Sequence, residues 1–141
     1  ADVPGQGGVG AFSATITPSS ASSKILIMVD VKGAGINDYS IMRTRLLRGS
    51  TPIYVGDAAG SRPQSLSQFY IASGGAPFHM AQIGGTFLDS PATTGSTTYK
   101  LQFGADSSTN VVFISRTQSD RNAANYDARV AASIILMEIA G

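Results

Sequence analysis

Residues able to do chemistry are few in this chain of 141 residues. It has one histidine, His79, and no cysteine. A Ser-His-Asp or Cys-His arrangement would therefore hang on one base, and a zinc site would have to recruit carboxylates. His79 lies in Pro-Phe-His-Met and reads as a polar residue at a strand or loop edge. The nine acids offer no pair spaced for glycosidic cleavage, and Glu138 sits in an apolar closing segment, where an edge-exposed or ion-paired charge is expected. Asp120, Asn122, Asn125 and Asp127 carry oxygens that calcium would accept, but their spacing matches no calcium loop, so they read as a solvated loop. Gly5, Gly7 and Gly10 fit the spacing of a dinucleotide fingerprint, with Asp30 downstream for a ribose. That mechanism needs a strand before the glycines and a helix after them, and the sequence supplies neither. The expectation is a protein that is not an enzyme and uses no cofactor and no metal.

Binding is a better prospect than catalysis. Arg43 and Arg45 occupy alternate positions of one extended segment, with Arg48 close behind; such a positive row can take an anionic sugar or a partner's carboxylates, but a solvated strand face or an intersubunit ion pair is the first expectation. Tyr39, Tyr54 and Tyr126 could stack on a sugar ring, and each could equally fill a core or an interface. With the polar loop they leave Arg43, Arg45, Tyr54, Asn122, Asn125 and Tyr126 as candidate ligand or partner contacts.

Those residues need a scaffold, and composition bounds it. The chain is 43% hydrophobic and only 13% charged, about half the usual charged fraction. A weakly charged, hydroxyl-rich surface favours burial of part of itself in an assembly. The net charge is +1 and the cations form no stripe, which argues against a nucleic-acid partner. Apolar runs fall far short of the ~20 residues that span a bilayer, and the start lacks a signal-peptide pattern, so a soluble chain without membrane insertion is expected. An initial Ala instead of Met fits Met removal, processing or excision from a longer chain.

Residues 1–11 are glycine-rich and read as an arm or linker; residues 12–141 read as a single domain. Phe12, Ala14 and Ile16 alternate with polar residues, a first strand closed by Pro18. Residues 24–32 place Ile25, Ile27, Val29 and Val31 on one face and Leu26 and Met28 on the other, the pattern of a central strand. A loop over Gly33, Gly35, Asn37 and Asp38 follows. In 39–48, Arg43 and Arg45 oppose Met42, Thr44 and Leu46; a hairpin over 48–52 then leads into a short strand at 53–55. Further strands are expected over 64–71, over 78–88 with a bulge or bend at Gly84-Gly85, at 111–114 and at 130–139. Loops are expected at 56–63, at 74–77 and at 104–110. Residues 87–103 contain a Pro91 turn and then Tyr99, Leu101 and Phe103 facing one way. Residues 120–129 read as a loop or one helical turn. The closing segment is apolar on both faces and suits the centre of an inner sheet, its second face meeting a neighbouring subunit. About nine short strands without an amphipathic helix give an all-β antiparallel β-sandwich or barrel, jelly-roll-like by preference.

Four segments taken together resemble a recurrent C-terminal domain of bacteriophage virion proteins, found on tail fibres and other particle-surface proteins. They are SATITPSSASSKILIMVDV from Ser13, RLLRGSTPIYVGDAAGSR from Arg45, FLDSPATTGSTTYKLQ from Phe87 and AASIILMEI from Ala131. The resemblance covers most of the chain from Ser13. It implies a trimeric, jelly-roll-like module, with a TNF/C1q-like topology as one form, displayed on the virion as a fibre tip or a capsid decoration. It brings no catalytic residue with it. Its partners would be copies of the same chain, other virion proteins (fibre shaft or capsid) and host surface glycan. A free-standing carbohydrate-binding module is the alternative, and a small β-sandwich hydrolase is a third reading that no convergence of acid, base and nucleophile supports.

Overall fold

The computed structural model describes residues 12–36, 39–72, 78–106 and 110–141. The glycine-rich arm with Gly5, Gly7 and Gly10, the Asn37-Asp38 step, the expected turn at 74–77 and residues 107–109 lie outside them.

Alternation of apolar and polar residues decides the architecture. The strands are β1 (Phe12–Ile16), β2 (Lys24–Ile36), β3 (Ser40–Arg48), β4 (Thr51–Ile53), β5 (Ser67–Ile71), β6 (Ala81–Asp89), β7 (Thr97–Ala105), β8 (Val112–Ile114) and β9 (Ala132–Ile139). The described residues contain no helix. Every pairing is antiparallel, in two sheets. In the first, β1-β7-β3 is continued by β5 against the start of β3 and β4 against its end. In the second, β6-β2 is continued by β9 along the first part of β2 and β8 along its last residues. Each sheet thus has one long strand whose far flank is shared by two short ones.

The sheets face each other across one core. Ile25, Ile27, Val29 and Val31 of β2 meet Met42, Leu46, Tyr99, Leu101 and Phe103 from the opposite sheet, and all are buried. Full burial of such side chains contributes roughly 1.5–3 kcal/mol each, so this layer is the main source of stability. One polar constellation crosses the layer. The Tyr99 hydroxyl donates to Asp89 Oδ2 at 2.7 Å, and Arg48 Nη1 donates to both Asp89 oxygens at 2.9 Å. Asp89 belongs to β6 while Tyr99 and Arg48 belong to the other sheet, so the carboxylate ties the two sheets together. Tyr99 is wholly buried; burial first, and then its bond to Asp89, push its hydroxyl above the ordinary tyrosine value.

Several expected boundaries move. β2 continues through Gly33 and Gly35 to Ile36 instead of looping, with a register shift between Val31 and Ala34. A Cβ on Gly33 would lie 2.7 Å from both Met80 Sδ and Val130 Cγ2, so the glycine allows β2 to pass beneath them. Gly84 and Gly85 are not bulged, since their register with Asp30 and Val29 is continuous. They answer to close approach instead: a Cβ on Gly84 would come within 2.9 Å of the Val29 carbonyl oxygen and one on Gly85 within 2.8 Å of the Tyr54 ring. β4 begins at Thr51, and Tyr54 at φ 51° ends it, which removes the expected strand at 53–55. β7 runs to Ala105, one residue past the expected start of the loop. Residues 120–129 form turns and no helix. The largest correction concerns β9. It pairs with β2 alone among the described strands, so it is an edge strand and not the centre of its sheet.

Candidate functional site

β3 positions the arginines as its pleat dictates. Arg43 and Arg45 face outward from the first sheet while Met42, Thr44 and Leu46 are buried beneath. Arg48 has the opposite parity and turns inward to Asp89, so it leaves the expected positive row. Register sets Gly104 opposite Arg43 and Gln102 opposite Arg45 on β7, with Gln68 opposite Arg43 on β5. The missing side chain at Gly104 leaves a depression of about 210 Å³ lined by Arg43, Arg45, Gln102, Phe103, Gly104 and Ala105. Both arginines are braced: Arg43 Nε donates to Gln68 Oε1 at 2.9 Å, and Arg45 Nε donates to the Gln64 carbonyl at 3.0 Å. Neither is ion-paired to a described residue. The strands of this sheet carry Arg43, Arg45, Arg48 and Lys100 and no Asp or Glu. Asp106, just beyond β7, accepts a hydrogen bond from Asn110 at 2.9 Å. The arrangement thus sets two braced guanidinium groups beside a shallow depression.

The polar loop between β8 and β9 is organised from within. Asp127, with a side chain only 2% exposed, accepts hydrogen bonds from the hydroxyls of Ser119 and Thr117 and from Arg121 Nε at 2.8 Å. These partners, Ser119 first, pull its carboxyl down to about 2. Asp120 lies between Arg129, at 2.7 Å, and Arg116, at 3.4 Å. Both carboxylates are thus engaged by guanidinium groups, which removes the oxygens that a calcium ion would have used. Asn122 and Asn125 are exposed on this loop. Tyr126 is exposed as well, but its ring packs on Phe78, 5.2 Å between centroids, with Arg121 stacked over both rings. Asn122, Asn125 and Tyr126 therefore share one loop, remote in sequence from the arginine pair on β3.

Tyr54 departs from the open stacking platform expected of it. It stacks on Phe87 at 5.0 Å, with Gly85 beneath its ring, so one face is spent on the edge of the core. Tyr39 is exposed at φ 54°, beside the start of β3. His79 is exposed with its ring 5.5 Å from Phe69. Glu138 is neither open nor ion-paired among the described residues; its Oε1 accepts from both the backbone N–H and the hydroxyl of Ser19 at 2.7 Å, closing the turn between β1 and β2.

A second surface belongs beside the arginine pair. The outer face of β6-β2-β9 brings Leu88, Leu26 and Met137 into one cross-strand row and Thr86, Met28 and Ile135 into the next. Ile135 and Met137 are 48% exposed and Leu88 46%, with Ile139 exposed at the end of β9. The double-sided apolar pattern of β9 signalled this face in the sequence. Gln68, Tyr70 and Gly104 carried no signal, because only the pairing of β5 and β7 with β3 brings them to the arginines. The chain matches no model of a known protein family and no curated protein sequence.

Proposed function

We propose that the chain is a structural module of a bacteriophage virion, displayed on the particle surface as a trimeric fibre tip or a capsid decoration protein. In this reading the sandwich is a jelly roll of TNF/C1q-like form, and its partners are two further copies of itself and the fibre shaft or capsid that carries it. The supporting observation is the apolar outer face of β6-β2-β9, where Leu88, Ile135, Met137 and Ile139 stand in solvent in the single chain. Scattered exposed apolar residues need no explanation, but a contiguous row across three strands does. Its middle bears no charge, so it suits a like face better than a charged partner. Sedimentation equilibrium at micromolar concentration tests the reading: a mass three times the 14.5 kDa of the chain supports it, and a monomer counts against it.

A free-standing carbohydrate-binding module is the second reading. It is favoured by the exposed rings of Tyr70, Phe78 and Tyr126 on a surface rich in amides and hydroxyls. Glycan binding by a stable monomer would select it.

A further inference from the structure

We propose that the outer face of β5-β3-β7 is a subsite for a carboxylated sugar, with Arg43 and Arg45 holding the carboxylate. The inference gives the displayed module a ligand class, and it rests on that reading only in taking an extracellular saccharide as the ligand.

Charge comes first. Of the four cations on the strands of this sheet, Arg48 is committed to Asp89, while Arg43 and Arg45 are ion-paired to no described residue. Two guanidinium groups two residues apart on one strand form a positive focus suited to a planar carboxylate, which arginine recognises bidentately; no acid lies on the strands of their sheet, and Asp106, one residue beyond β7, accepts a hydrogen bond from Asn110. The focus is too small for a polyanion, since tracking a phosphate backbone takes a longer row of cations.

Shape comes second. The depression beside the arginines exists because residue 104 has no side chain, and at about 210 Å³ it is smaller than the roughly 300–1,000 Å³ of drug-sized pockets. It suits one acidic ring and not an extended chain. The Nε bonds to Gln68 and Gln64 brace both guanidinium groups, so less rotamer freedom is lost when a ligand arrives. Placement on strands, away from loop tips, adds to the precision.

The surroundings favour a sugar over a peptide carboxylate. Tyr70 takes the next outward position after Gln68 on β5, diagonal to Arg43 and 53% exposed, so its ring can cover a pyranose face. The side-chain amide of Gln68, whose oxygen accepts from Arg43, has an NH2 group of the kind that reads hydroxyl groups.

The test is a matched pair of ligands that differ only at the acid, methyl β-D-glucuronide and methyl β-D-glucoside, titrated into the full chain while backbone amide NMR shifts are followed. The expected result is saturable shifts at Arg43, Arg45 and Gly104 with the glucuronide in the millimolar range, and none with the glucoside. Arg43→Gln with Arg45→Gln should abolish the response. Gly104→Val should also abolish it by filling the depression: no atom lies closer than 4.0 Å to a Cβ at 104, so the strand accepts the side chain. That variant keeps the test decisive if the double arginine change fails to fold. Equal response to both sugars, survival of binding in the Gly104→Val protein, or inorganic sulfate binding as tightly as the glucuronide would each overturn the assignment. Sedimentation of the same samples separates the two readings. A trimer without glucuronide binding sinks this subsite alone, and a monomer that binds it sinks the assembly alone.

Discussion

On the outer face of β1-β7-β3 the pleat turns Ser13, Thr15, Arg43, Arg45, Thr98, Lys100 and Gln102 away from the core, together with Ile41 and a buried Leu47; on the outer face of β6-β2-β9 it turns out Leu26, Met28, Leu88, Ile135 and Met137, flanked by Lys24, Asp30 and Ser133. Both sheets obey the same alternation and bury their inner faces in one shared core. The outer faces differ in what they present: the first is mainly polar and cationic, and the second carries a row of half-exposed apolar side chains across three strands. Covering the second would contribute on the order of 1 kcal/mol for each half-exposed Ile, Leu or Met, because full burial of such a side chain is worth roughly 1.5–3 kcal/mol.

Substitutions on the two faces and at the bond between them should have effects of very different size. The largest effect is expected at the bond common to both sheets. Asp89→Ala removes the acceptor of Tyr99 and Arg48, and should cost about 3 kcal/mol in urea unfolding, near the lower end for breaking a buried pair because Arg48 is one-third exposed. Tyr99→Phe keeps the ring and loses only the hydroxyl, so about 1–2 kcal/mol is expected in the same experiment. If both variants unfold like the parent, the two sheets are not coupled as described. Ile135→Lys lies on the outer face of an edge strand and should move the monomer's stability by less than about 0.5 kcal/mol. It should nevertheless abolish the proposed trimer, seen as a drop in sedimenting mass. Thr15→Lys on the opposite face loses one exposed hydrogen bond to Thr98, so it should move stability by less than about 0.5 kcal/mol and leave the sedimenting mass unchanged.

Acid acts on a third place. The Asp127 carboxyl is held at about 2 against an ordinary value of 3.8. A depressed folded value means that its contribution is present above about pH 4 and is lost as the pH falls toward 2. Urea midpoints measured across that window should fall for the parent and fall less for Asp127→Asn. A parent and variant with parallel profiles would show that the loop's hydrogen bonds do not contribute to folding.

How much of this was legible in the sequence depended on whether a face was buried. Ile25, Ile27, Val29 and Val31, and likewise Tyr99, Leu101 and Phe103, announced their strands and their inward side because one face meets the core. The outward aim of Arg43 and Arg45 followed from the same parity. A strand apolar on both faces, as β9 is, has the same signature at the centre of a sheet and at its edge, so its edge position is not encoded in its pattern. Arg48 was grouped with the arginine pair although its odd spacing sends it inward. The tie from Asp89 to Tyr99, the depression at Gly104 and the stacking of Tyr54 on Phe87 depend on strand pairing and sheet packing, which local patterns do not encode. In the same way, a glycine pair at a bulge and one at a close approach look alike in sequence, and at Gly84-Gly85 the register shows the close approach and no bulge.

In the proposed assembly the apolar outer face is covered, and the methionines report on it. Met137 stands half exposed on that face of the single chain, whereas Met42 is buried in the core at 1% exposure. Peroxide oxidation followed residue by residue in the mass spectrometer reads their accessibility directly. At a concentration where the protein is assembled, Met137 should oxidise as slowly as Met42, and dilution should accelerate it. Fast oxidation of Met137 at every concentration would contradict the account.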